Sequence, residues 1–239
     1  MTPSLLDLVQ RYDRPGPRYT GYPMPPAWQE HFPQEGAVEA LARANAKTGE
    51  ALSLYTHIPF CKRRCSYCGC NVTVSPQYTP VEGYLRALEA EVELWARHLP
   101  NRREAIQLHW GGGTPTYLSV PDLRRTFRII TDRFPLRPDA EVAIEVDPTF
   151  LAPDQLPALR ELGFNRVSFG VQDLDDHVQE LITRGQTWDQ TLATVKQARE
   201  LGFAGINLDL VYGLPGQTRE TFRRTLESTL ELAPNRMAI

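Results

Sequence analysis

Cys61, Cys65, Cys68 and Cys70 are the only cysteines in the chain, and all four fall within "HIPFCKRRCSYCGCN" (57–71). Disulfides among them would close only very short loops and staple nothing distant. Soft ligands packed this closely suit metal binding or redox chemistry where thiols stay reduced. Structural zinc usually takes its ligands as separated pairs. No second pair exists here, and His31, His57, His98, His109 and His177 show no knuckle spacing. Cys61-x3-Cys65-x2-Cys68 offers three thiolates from one loop, which suits an iron–sulfur cluster. A [4Fe–4S] cube held by three thiolates keeps one iron open for another ligand. Zinc and a bare redox motif are the alternatives. Cys70 is either a fourth ligand or a neighbour. It stands two residues after Cys68, where one tight loop has trouble carrying both sulfurs to different irons. That favours Cys61, Cys65 and Cys68 as the metal ligands.

The rest of the composition supplies the compartment. The 239 residues are enough for one large domain or two small ones, with 41% hydrophobic and 23% charged side chains. A net charge of −3, mixed along the chain, gives no basic stripe for nucleic acid and no acidic tail. The opening "MTPSLLDLVQRYDRPGPRYT" lacks a basic region followed by an apolar one. No apolar run approaches the ~20 residues of a membrane span. A cytoplasmic chain with no membrane and no nucleic-acid partner is the expectation.

The elements that must position the cysteine loop alternate between strand and helix. "LSLYTHI" (52–58) leads into the cysteines. A helix over 81–99 follows, with Val81, Tyr84, Leu85, Leu88, Val92, Trp95 and Leu99 three or four residues apart. "AIQLHW" (105–110) reads as a second strand before "GGGTPT" (111–116), and 120–134 as a helix. "EVAIEVDP" (141–148), "RVSFGVQ" (166–172) and "INLDLVYGLPGQ" (206–217) read as further strands. Helical material covers 152–163, the stretch up to 202, and 218–232, and "NRMAI" (235–239) reads as the start of a sixth strand. Such alternation implies parallel strands with right-handed crossovers. "RELGF" occurs at 160–164 and again at 199–203. It reads either as a recurring unit of helix end, glycine cap (Gly163, Gly202) and strand entry, or as two chance uses of a good helix stop.

The strands are two-faced. One face carries Leu52, Leu54 and Ile58; Ile106, Leu108 and Trp110; Val142, Ile144 and Val146; Val167, Phe169 and Val171; and Ile206, Leu208 and Leu210. The other carries Tyr55 and His57, Gln107 and His109, Glu145 and Asp147, Ser168 and Gln172, and Asn207 and Asp209. A closed eight-stranded barrel fills its centre with branched apolar side chains. A polar interior instead predicts a partial or widened barrel around a ligand, held at the carboxy-terminal ends of the strands. The cysteine loop and "GGGTPT" both lie at that end. Three glycines could serve only a tight turn, but they also let backbone approach a ligand closely. No P-loop and no G-x-G-x-x-G is present.

C-x3-C-x2-C after "YTHIPF" resembles the radical S-adenosylmethionine (SAM) family. "PGPRYTGYP" (15–23), "CSYCGCN", "GGGTPTYL", "IEVDP" and "SFGVQD" together resemble its oxygen-independent coproporphyrinogen III dehydrogenase branch, a family of haem biosynthesis, over almost the whole chain. The resemblance implies an α/β fold, a partial (β/α)6 radical SAM barrel. Here five βα units are complete, followed by the start of strand six, with 1–48 as an amino-terminal extension and 49–239 as the barrel. It implies a [4Fe–4S] cluster on Cys61, Cys65 and Cys68 and a SAM contacting Tyr55, Gly112 and Glu145. At a second SAM position it places Tyr67, Gly113, Thr114, Gln172, Arg184 and Asp209. No separate catalytic residue is assigned.

The implied reaction is oxygen-independent oxidative decarboxylation of coproporphyrinogen III to protoporphyrinogen IX, through a 5′-deoxyadenosyl radical from SAM. Its electrons would come from a donor such as flavodoxin or ferredoxin, in an enzyme that is monomeric when complete. The alternative is the related haem-chaperone family, which generally lacks the counterparts of Cys70 and "PRYTGYP". Enzymes of the dehydrogenase branch are longer, with a helical domain after the barrel. The chain is therefore expected to be a carboxy-terminally truncated fragment, inactive alone.

Overall fold

Every strand expected from the alternation pairs side by side with its neighbour in the chain. In a computed structural model, residues 4–12 and 31–239 are described, so the "PGPRYTGYP" motif lies outside the described residues. The backbone groups into two units, 1–40 and 41–239. The first holds α1 (Leu5–Tyr12), started by Ser4, whose hydroxyl accepts from the Asp7 amide at 3.2 Å. Helix α2 (Gln34–Asn45) runs across the division, and its Leu41 and Ala44 pack on Ala96, Leu99 and Phe134 within the second unit.

The second unit is an α/β structure. Its elements are β1 (Leu52–Ile58), β2 (Phe60–Cys61), β3 (Thr73–Val74), α3 (Pro80–His98), β4 (Ala105–Gly112), α4 (Val120–Thr131), β5 (Leu136–Val146), α5 (Gln155–Glu161), β6 (Arg166–Gln172), α6 (Asp176–Leu181), α7 (Trp188–Glu200), β7 (Gly205–Leu210), α8 (Arg219–Glu231) and β8 (Arg236–Ala238). Six strands form one sheet in the order β1-β4-β5-β6-β7-β8, all parallel. This is the partial barrel, with "NRMAI" supplying β8 against β7 from Asn207↔Arg236 to Asp209↔Ala238.

The two-faced strands explain the layers. Leu108, Trp110, Ile144 and Phe169 are fully buried beneath the helices, with Leu85, Leu123, Leu156 and Leu159 from α3, α4 and α5. Burying each such side chain is worth about 1.5–3 kcal/mol relative to exposure. Trp110 meets Phe164 edge-on at 4.9 Å. Trp95 departs from the apolar stripe expected of α3. It is 45% exposed, and Ala96 takes the buried place beside it. Ile106 sits where the register between β4 and β5 shifts, and is only half-buried while Ala105 is buried.

Two other boundaries differ from the sequence reading. Strand β4 continues through Gly111 and Gly112, because these pair with His57 and Ile58 of β1. The helical material after β6 is two helices, α6 and α7, separated by a turn in which Thr183 and Gly185 have positive φ. The "RELGF" segments share one geometry. Phe164 and Phe203 donate to Leu159 and Ala198, and Gly163 and Gly202 donate to Arg160 and Arg199. This is the Schellman arrangement, with each glycine in the left-handed region. The repeat is structural.

Candidate active site

The cysteine loop is fixed at both ends by backbone. Thr73 donates to Pro59 O at 2.7 Å and Ser75 to Cys61 O at 3.0 Å, joining β2 to β3 beneath the loop. Gly113 and Thr114 donate to Ile58 O and Phe60 O, tying the exit of β4 to the exit of β1. Gly113 must be glycine there, because a Cβ would stand 2.7 Å from the Phe60 carbonyl oxygen. Phe60 is buried between Tyr84 and Tyr117 and wedges the loop's entry. The far side is held by Ser66, which donates from its amide to Ile182 O and from its hydroxyl to Leu181 O.

These constraints place the loop over a cavity of about 280 Å³ at the carboxy-terminal ends of the strands. Cys61, Cys65, Cys68 and Cys70 line it from above. From the strand ends and the loops after them come Gly112, Gly113, Thr114, Glu145, Gln172, Arg184 and Asp209, and Tyr67 comes from the cysteine loop itself. Residues as distant in sequence as Cys61 and Asp209 thus border one cavity. Tyr55 does not line the cavity. It is 59% exposed on the edge strand β1, its ring stacked on His109 and its hydroxyl 3.0 Å from His57 Nδ1. Lys62, Arg63 and Phe150 also line the cavity, with both cations over the Phe150 ring at 5.1 and 5.0 Å. The Lys62-Arg63-Arg64 run between the first two cysteines is the sequence signal for this basic lip.

Hydrogen bonds set the electrostatics. Gly112 donates its amide to Glu145 Oε2 at 3.2 Å, and His109 Nε2 lies 3.3 Å from Oε1. Ser168 donates to Asp209 at 2.7 Å, as does Asn207. Burial nevertheless holds the Asp209 carboxyl above its usual range, outweighing those two donors. Burial likewise pushes up the Cys61 thiol, against the pull of the Thr114 hydroxyl 3.5 Å away, and the Tyr67 phenol. Arg184 is 5% exposed and pairs with Asp147 at 3.1 Å. A second cavity of about 200 Å³ lies below and shares Glu145, Ser168 and Asp209. It also touches Asn207, whose Oδ1 is buried without a partner.

Among the described residues no three or more His, Cys, Asp or Glu side chains are gathered closely enough to hold one metal ion. Sulfurs that ligate separate irons of a cube need more room than sulfurs that share one ion. A radical SAM family model, described as the radical SAM superfamily, matches residues 55–229. The chain belongs to the radical SAM superfamily. Its cofactors are accordingly a [4Fe–4S] cluster and SAM.

Among solved structures, the radical SAM enzyme coproporphyrinogen III oxidase (HemN) from Escherichia coli matches with a TM-score of 0.87. Identity is 41%, over 97% of this chain and 52% of that one. The radical SAM methyltransferase TsrM from Kitasatospora setae, solved with cobalamin and a [4Fe–4S] cluster, matches at a TM-score of 0.56 and 18% identity, over 84% of this chain and 37% of that one. It shows the fold alone. Curated relatives named oxygen-independent coproporphyrinogen III oxidase match as well. That of Escherichia coli strain K12 is 44% identical over 98% of this chain and 50% of its own length. That of Synechocystis is 40% identical, with the same coverage. The chain spans about half the length of the curated relatives it matches.

The residues present fit the radical SAM cofactors. The four cysteine thiols open onto a cavity also lined by the Glu145, Asp147 and Asp209 carboxylates. The glycine edge leaves no spare volume: a Cβ on Gly111 would stand 2.8 Å from the Glu145 carboxylate, and one on Gly112 2.8 Å from the His57 ring.

Proposed function

We propose that this chain is the radical SAM portion of an oxygen-independent coproporphyrinogen III oxidase, an oxidoreductase of haem biosynthesis acting in the cytoplasm. The observation that carries this reading is 44% identity, across 98% of the chain, to an enzyme of that name. The cavity supports it, because it puts the four thiols, three carboxylates and a basic lip around one space. In this reading residues 49–239 are the barrel and 1–48 an extension.

Cys61, Cys65 and Cys68 hold the cluster, and Cys70 stands beside it as a non-ligand. Gly112 and Glu145 serve the first SAM, and Tyr55, which stands outside the cavity on the β1 edge, would reach it only from there. Glu145 is oriented by the Gly112 amide and by His109 to accept from ribose hydroxyls. Tyr67, Gly113, Thr114, Gln172, Arg184 and Asp209 border the second position. Bound there, the cluster and SAM would supply the radical chemistry needed to take hydrogen from a propionate side chain of the substrate. Loss of CO2 from that side chain, with one electron passed to a separate one-electron acceptor, would leave a vinyl group, twice per porphyrinogen. A flavodoxin- or ferredoxin-type protein supplies the reducing electrons, and the complete enzyme acts as a monomer, with no nucleic acid and no membrane.

The test uses the full-length protein with SAM, a reductant and coproporphyrinogen III. Release of CO2 with formation of vinyl groups is the expected result. Tight haem binding with no SAM-dependent product would overturn the reading and favour a haem chaperone.

A further inference from the structure

Arg184 sits in the turn between α6 and α7, where its amide and that of Gly185 donate to Gln179 O. A guanidinium carries five N–H groups in a rigid fork. Four hydrogen bonds and one ion pair engage it within the chain. Nε donates to Gln186 Oε1 at 3.0 Å and Nη2 to Gly170 O at 2.6 Å, while Asp147 Oδ1 forms an ion pair with Nη2 at 3.1 Å. Nη1 donates to Tyr67 Oη at 3.3 Å and to Cys65 Sγ at 3.8 Å. Gln186 is itself held by Thr191 and Gln179. Gly170 keeps the passage clear, since a Cβ there would stand 3.0 Å from Nη2. The fold therefore spends a buried charge and a glycine to aim one cation at one cysteine sulfur, 119 residues away in sequence.

An ordinary buried ion pair needs only the carboxylate and enough acceptors. A donor turned to Cys65 Sγ does something more when that sulfur ligates iron. Reduction of the cluster adds negative charge to irons and sulfurs, and a buried cation with an N–H···S contact stabilises that charge. We infer that Arg184 is a positioning residue for the cluster, raising its reduction potential through Cys65, with Asp147 as the counterweight that limits the effect. The inference rests on the assignment of Cys65 as a cluster ligand.

The experiment is a redox titration with dithionite of the anaerobically reconstituted protein, followed by the electron paramagnetic resonance of the reduced cluster. Iron content is measured in parallel. Arg184→Gln should keep iron and move the midpoint to a more negative potential. About a tenfold lower ratio of reduced to oxidised cluster at fixed potential is expected, ~59 mV for a one-electron couple. Asp147→Asn keeps an acceptor oxygen for Thr149 and Arg184 but removes the negative charge, and should move the midpoint the other way. An Arg184→Gln cluster with an unchanged midpoint would overturn the inference. If Arg184→Gln binds no iron, Asp147→Asn decides, and an unchanged or more negative midpoint there would overturn it. Failure of the parent protein itself to take up iron would instead remove the cluster assignment, and this inference with it.

Discussion

Glu145 shows how tightly one side chain is specified by its neighbours. It receives the Gly112 amide on one oxygen and faces His109 with the other, and Gly111 passes so close that any side chain there would strike it. Glu145→Ala should weaken SAM binding by about 1–3 kcal/mol through loss of a charged acceptor. Gly111→Ala should weaken it too, by displacing the carboxylate while every polar group remains. Calorimetric titration with SAM reads both, and undiminished affinity in Glu145→Ala would reduce that residue to a structural role. Asp209 is specified in the opposite sense, by a burial that disfavours its charge. Its folded-state pKa lies above the ordinary value of 3.8, so the native state binds the proton more tightly than the unfolded chain. Its contribution to stability is complete below about 3.8 and is lost as pH rises through the folded value. Stability measured against pH should therefore fall over that acid window in the parent relative to Asp209→Asn, and superimposable profiles would contradict the assignment.

Much of this residue-scale detail was legible in the sequence. The cysteine spacing and the polar strand faces named Cys61, Cys65, Cys68, Glu145 and Asp209 before any geometry. What stayed hidden depends on contacts between distant segments. The five partners of Arg184 come from five separate positions, none of them suggested by local pattern. Tyr55 alternates correctly with its strand neighbours, but β1 is an edge strand, so its inward face lies against His109 and solvent and not against the cavity.

Among the elements, glycine means different things in different places. Gly163 and Gly202 close α5 and α7 with positive φ and have open space where a Cβ would go. Replacing either by alanine should cost about 1–2 kcal/mol from backbone strain alone. It should lower the midpoint of thermal unfolding and leave iron content intact. Gly113 is the contrast, because its missing Cβ makes room for a backbone carbonyl that cannot swing aside. Gly113→Ala should shift the cysteine loop and reduce iron uptake even where the protein stays folded. Helix stops and strand alternation are local signals, which is why the five complete βα units could be read from sequence. The strand-like pairing of Gly111 and Gly112 was masked by their composition, since glycine favours turns over strands and only the partner strand β1 reveals the ladder.

Taken as a whole molecule, the described residues form a parallel sheet with β1 and β8 each paired on one side only, around a polar interior. No described helix is long and apolar enough to cross a membrane. The chain spans half of its curated relatives, so the cofactor cavity is the part of the account that this chain can test by itself. Its central claim is that Cys61, Cys65 and Cys68 jointly hold a [4Fe–4S] cluster with SAM within reach. The most direct measurement is iron and sulfide analysis after anaerobic reconstitution, combined with the electron paramagnetic resonance of the reduced protein with and without SAM. The account predicts about four irons per chain, lost when any one of the three cysteines becomes serine but retained in Cys70→Ser, and a spectrum that changes when SAM is added. Stoichiometric zinc in place of iron, full iron retention in Cys61→Ser, Cys65→Ser or Cys68→Ser, or a spectrum indifferent to SAM would contradict it.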